Sequence, residues 1–213
     1  MKTDYINKIL ELKTRFSNQN FVDYDFTKTN FNSSIFENTN FENCLFESSV
    51  LKGSRIFYNS NFESCIFKNI TLSHTTFGSH KGTYKKCVFE NCEYKGKDFN
   101  FTQFIDCKFI KTKFTTVNFN GSQFRNCIFE GKFKDVTFNG IYDCNPDFKA
   151  CLHQCDFFNA TFGDFVSFEN CDLSTCTAPK DTAFKEILYQ LDASNPKLLS
   201  TGSPDRIVIR DVQ

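Results

Sequence analysis

The chain has 213 residues and balances 25 Lys and Arg against 25 Asp and Glu, for a formal net charge of zero. Phe supplies 29 residues, Cys 11, Met one and Trp none, a skew that points to a repetitive core with one preferred plug. No run approaches the 18 apolar residues of a membrane span, and a mean hydropathy of −0.39 calls for a polar exterior.

In residues 1–18, TDYINKILELKTRF places Ile6, Ile9 and Leu10 at helical spacing, with Asp4 as a cap. A short N-terminal cap helix is expected there. The start is too polar for a signal peptide, so a cytoplasmic location is expected.

From residue 19 the chain counts in fives. Phe21, Phe26, Phe31, Phe36, Phe41, Phe46 and Leu51 form one register, and one extra residue moves it to Phe57, Phe62, Phe67, Leu72 and Phe77. After a two-residue insertion in GSHKGTYKK the longest register runs every fifth residue from Tyr84 to Phe129. A one-residue deletion then gives Phe133 and Phe138. NGIYDCNPDFKA interrupts the frame, which resumes as Leu152, Phe157 and Phe162 and shifts once more to Phe168, Leu173 and Ala178. Two residues before nearly every large position sits a small one, mostly Ser, Thr, Ala or Cys, and nine of the eleven cysteines fall there. Cys144 and Cys151 fall elsewhere, and Tyr24, Arg55 and Lys97 break the small-residue rule.

A helix repeats at about 3.6 residues and a strand at 2, so neither explains this period. Two inward residues in every five require a chain that turns a corner once per repeat. Four such sides close a square coil of twenty residues, and coils stacked at about 4.8 Å pair their backbones with one another. Cys87, Cys107 and Cys127 are spaced by twenty, and Cys44 and Cys65 join the same side once the insertions are counted. The cysteines then read as small apolar core residues. An odd count without an export signal argues against a disulfide framework. No pair of CxxC knuckles supports zinc.

NCLFE, SCIFK, KCVFE, DCKFI, NCIFE and NCDLS resemble the units of the pentapeptide-repeat family, small–polar–Leu/Phe–polar–polar. The resemblance covers residues 19–178. It implies an all-β fold, a right-handed quadrilateral β-helix, here expected with short N-terminal and C-terminal capping helices.

Residues 179–213 follow as a C-terminal helix and tail. Phe184, Ile187, Leu188 and Leu191 lie at i, i+3, i+4, i+7, with Asp181 as N-cap and Pro196 beyond the end. This helix reads either as a lid on the last coil or as a homodimer contact, and the resemblance implies the second use. DRIVIRDVQ alternates like an edge strand or a swapped arm.

No nucleophile–base motif surrounds His74, His80 or His153, and neither GxxxxGK[ST] nor GxGxxG occurs. A plugged rod also lacks a concave catalytic pocket. We therefore expect no enzyme activity, cofactor or metal, but an interaction scaffold. The resemblance extends to Qnr and MfpA-like members, dimeric rods proposed to protect DNA gyrase and topoisomerase IV from quinolones by imitating duplex DNA. Charge departs from that pattern: residues 67–134 hold twelve bases and five acids (+7), while residues 135–176 hold seven acids and one base (−6). The alternative is a different protein partner, bound through the aromatic C-terminal region and loop 139–149. Candidate contacts are Phe148, Phe158 and Phe165, which leave the core register, with Asp143, Asp147 and Asp156. Direct nucleic-acid binding ranks last, through Lys81, Lys85, Lys86, Lys95, Lys97, Lys108, Lys111 and Lys113.

Overall fold

Each five-residue unit spends three residues extended, with the large side chain central and pointing inward, and two residues on a corner. The first strands are β1 (Arg15–Ser17), β2 (Asn20–Val22), β3 (Ile35–Glu37), β4 (Asn40–Glu42) and β5 (Leu45–Glu47). The computed structural model describes residues 1–51, 56–73, 82–99, 101–139, 151–169, 171, 173–180, 184 and 206–209.

Pairing is parallel between coils. Phe21 lies in register with Phe41, Phe41 with Phe62, Phe62 with Tyr84, Tyr84 with Phe104, and Phe104 with Phe124. This face is a seven-stranded sheet, spanning about 29 Å over six spacings of about 4.8 Å. The next face continues from β5 through β8 (Ile66–Lys68), β11 (Val88–Glu90), and the first parts of β14 (Lys108–Asn120) and β16 (Ile128–Asn139). The third carries β9 (Thr71–Ser73), β12 (Glu93–Asp98) and β18 (Thr161–Phe162), and the fourth begins with β1, β3 and β6 (Phe57–Tyr58). The result is the expected right-handed quadrilateral β-helix. β14 and β16 are long because each runs past a corner without losing its pairing.

The interior is a column of rings. Phe41 and Phe62 lie 4.7 Å apart at 2°, and Phe104 and Phe124 4.8 Å apart at 4°. Neighbouring faces meet edge to face, as for Phe62 and Phe67 at 63°. Both arrangements suit the aromatic quadrupole when stacked rings are offset.

The small position also supplies hydrogen bonds. The Ser49 hydroxyl donates to the Phe26 carbonyl at 2.6 Å, and Ser122 donates to Phe99 at 2.6 Å. Thiols do the same: Cys44 donates to Phe21 at 3.3 Å, Cys107 to Tyr84 at 3.3 Å and Cys127 to Phe104 at 3.4 Å. Each of these side chains thus finds a carbonyl on the preceding coil for its buried polar hydrogen. The ten described cysteines are free thiols, and burial raises the pKa of Cys92 to about 12.

The corner explains the asparagines. Asn38, Asn43, Asn69, Asn91 and Asn126 adopt φ between 51° and 54°, a left-handed region that Asn tolerates best among non-Gly residues. The amides of Asn38, Asn69, Asn91 and Asn126 also bond between coils, as where Asn91 Nδ2 donates to Asn69 Oδ1 at 2.7 Å.

The expected helix over residues 1–18 is not formed. Lys2 bridges Tyr24, Ile9 bridges Asn30, and β1 pairs with β3, so this segment is an irregular first coil. Asn7 and Lys13 take φ of 57° and 58°, which interrupts any helix. Phe16 stacks on Phe36 at 4.6 Å, and the Tyr5 ring packs on Phe26 at 5.1 Å at the open end.

At the other end β20 (Arg206–Ile209) pairs antiparallel with β19 (Val166–Glu169), the edge-strand alternative for the tail. Phe184 packs edge-on against Phe157 and Phe168 at 6.3 and 5.9 Å. Ile187, Leu188 and Leu191 lie outside the described residues, as do residues 78–81 and 140–149 of the two frame breaks.

Candidate functional site

The plugged interior leaves the outer faces as the place for recognition. On the face of β5, β8 and β11, one outward column reads Leu45, Ile66, Val88, Lys108, Ile128. The neighbouring column reads Glu47, Lys68, Glu90, Ile110, Glu130. Ile66 is 37% exposed, and Lys68 and Glu90 pair at 3.7 Å. The seven-stranded face carries an amide column instead, with Asn61 Nδ2 donating to Asn40 at 3.0 Å and Asn40 Nδ2 to Asn20 at 2.8 Å.

The C-terminal coils hold the described part of the aromatic site expected from sequence. Phe158 is 46% exposed and Phe165 55%, against 0% for Phe157 one residue away. Leaving the five-residue register thus places each ring on the outside. Phe165 sits at a corner with φ of 59°. Asp156 helps to hold the coil together, since its carboxylate accepts from the Phe158 amide at 2.9 Å and its backbone bridges Ile128 and Thr177. Phe148, Asp143 and Asp147 lie outside the described residues.

The expected basic waist is spread around the rod. Lys85 lies on the seven-stranded face and pairs with Glu63 at 3.5 Å, and Lys86 occupies the following corner with φ of 54°. Lys108 lies on the next face, and Lys95 and Lys113 on the one after it. Lys81 lies outside the described residues. What sequence reasoning missed is a local grouping: Lys111 and Lys113 come together with Lys132 around one hollow. The available signal was the one-residue deletion before Phe133. Among the described residues no group of three or more His, Cys, Asp or Glu is arranged to hold a metal ion, and no helix is long and apolar enough to cross a membrane.

No curated protein matches the chain. Among solved structures, full-length QnrB1, a plasmid-mediated fluoroquinolone resistance protein, is 12% identical with a TM-score of 0.37, covering 81% of this chain and 89% of that one. HetL, a pentapeptide repeat protein involved in heterocyst differentiation regulation from the cyanobacterium Nostoc sp., is 6% identical with a TM-score of 0.34, covering 78% of this chain and 87% of that one. Likenesses at these scores speak to neither partner nor activity. The family model for pentapeptide repeats matches in 8 copies, over residues 13–47, 85–121 and 98–131. Those copies fall on the stacked square coils with their buried Phe column, and the chain belongs to the pentapeptide-repeat family.

Proposed function

We propose that the protein is a non-enzymatic scaffold that binds a protein partner on its outer surface. The observation that supports this reading is the pairing of a plugged interior with two exposed rings, Phe158 and Phe165, on the C-terminal coils. Exposed aromatics are enriched where proteins meet, and a rigid rod presents them with little entropy left to lose.

The concrete version implied by the family resemblance is protection of a type II topoisomerase from quinolones, with the rod as a stand-in for duplex DNA. Charge weighs on this version. Glu42 and Glu63 share an outward column with Lys85 and Arg125, so that column changes sign along the axis, whereas DNA carries one negative charge per about 1.7 Å. The test is a gyrase supercoiling reaction with a quinolone and added protein. Restored supercoiling supports the topoisomerase version, and no rescue at stoichiometric excess ends it. Affinity capture with wild-type protein and the Phe158→Ser, Phe165→Ser double variant tests the wider scaffold reading. A partner retained equally by both rules out the aromatic surface as its binding site.

A further inference from the structure

Along one edge of the rod, between the face of β11 and that of β12, the corner residues are Asn69, Asn91 and Lys111, with φ of 54°, 51° and 52°. The next coil has no counterpart. The pairing of β14 with β16 skips from Ile110–Glu130 to Thr112–Gly131, so Lys111 faces no residue above it. The deletion trims the corner and leaves a hollow of about 470 Å³, within the range of small-molecule sites. A second hollow of about 220 Å³ shares Asn91, Lys111 and Lys113 with it. The trimmed path requires glycine: a Cβ on Gly131 would lie 2.2 Å from the Thr112 carbonyl oxygen.

The charges around this hollow are arranged differently from those beside Lys68 and Lys85. Lys68 faces Glu90 and Lys85 faces Glu63 in register, at 3.7 and 3.5 Å. At the hollow Lys113 faces Lys132 directly, with Lys111 at the adjoining corner. Like charges directly opposite on paired strands are destabilising. Two carboxylates stand near, Glu130 on the rim and Glu93 in register with Lys113, yet none of these five groups forms an ion pair among the described residues. Thr112 lines the same hollow, 1% exposed, and its Oγ1 lacks a hydrogen-bond partner among the described residues. The rim adds neutral donors in Asn91 and Thr161.

We propose that this trimmed corner binds a phosphorylated small molecule of nucleoside-phosphate size. The three ammonium groups supply point charges for a phosphoryl group, the role to which Lys is suited. Glu130 supplies an acceptor for a hydroxyl on the body of the ligand. The site is separate from the Phe158 and Phe165 surface and does not depend on the scaffold reading.

The test is calorimetric titration of the full chain with ADP, at low and at physiological salt. Saturable binding is expected for the wild type, weakened at least tenfold in Lys113→Gln and Lys132→Gln. Lys85→Gln, on a different face, is expected to bind like wild type. These lysines are exposed, and matching circular dichroism and melting of the variants confirm that the fold is intact. Absence of ADP binding by the wild type, or equal binding by the Lys113 and Lys132 variants, overturns the proposal. Retention of duplex DNA without ADP binding also overturns it, in favour of a nucleic-acid contact.

Discussion

The Phe62 ring lies between those of Phe41 and Tyr84, at 4.7 and 4.6 Å and within 2° and 4° of parallel. These three residues are in backbone register on successive coils. One side chain therefore holds two interfaces, and its loss is felt by coils on both sides. Phe62→Ala is expected to cost about 3–5 kcal/mol, the range for a buried Phe replaced by Ala. Phe62→Leu is expected to cost less because most of the volume remains. Urea unfolding at constant slope measures both.

Tyr94 replaces Phe in a neighbouring stack, 4.7 Å from Phe114, and its hydroxyl is buried without a hydrogen-bond partner among the described residues. Burial raises its pKa. A buried hydroxyl left unpaired costs about 1–3 kcal/mol. Tyr94→Phe keeps the ring and removes the orphan, so it is expected to raise stability by about 1 kcal/mol. A loss of stability on denaturant unfolding would show that the hydroxyl has a partner.

Gly131 predicts the opposite sign. Gly131→Ala drives a methyl against the Thr112 carbonyl oxygen at 2.2 Å and its Oγ1 at 2.8 Å. Overpacking of this kind costs about 1–3 kcal/mol. A melting temperature unchanged from wild type would contradict the trimmed corner.

The thiols make a prediction about pH. Burial pushes Cys92 up from its ordinary 9.0 to about 12. Between those values the folded protein holds a proton that the unfolded chain releases, so stability is intact below pH 9 and falls as pH rises toward 12. The slope is about 1.4 kcal/mol per pH unit for each such thiol. Denaturant midpoints across this range measure it, and Cys92→Ala is expected to flatten the curve. Flat stability from about pH 9 to about pH 11 in the wild type would contradict the burial of this side chain.

The architecture was legible because it is periodic. Phe at every fifth position and Cys at multiples of twenty fixed which side chains point inward, and Phe104 and Cys107 are 1% and 0% exposed. The first coil was misread because Ile6, Ile9 and Leu10 mimic a helical face. Ile9 is 74% exposed, and the stronger signal was Phe16, five residues before Phe21 with Thr14 two before it. Cross-coil pairing with Tyr24 and Asn30 outweighs a weak local helical preference there. Phe158 and Phe165 were legible from their departure from register. The lysine hollow was not, because the deletion shows a lost residue without showing that the lost residue is the corner.

The fold rests on a backbone that bonds to itself twenty-odd residues away, coil upon coil. The direct measurement is the through-hydrogen-bond NMR coupling from amide nitrogen to carbonyl carbon. Stacked coils predict couplings from Lys108 to Cys87 and from Ile128 to Cys107, whose N–O distances are both 3.0 Å. Couplings to carbonyls four residues back, or solvent-exchanging amides at both positions, would contradict them.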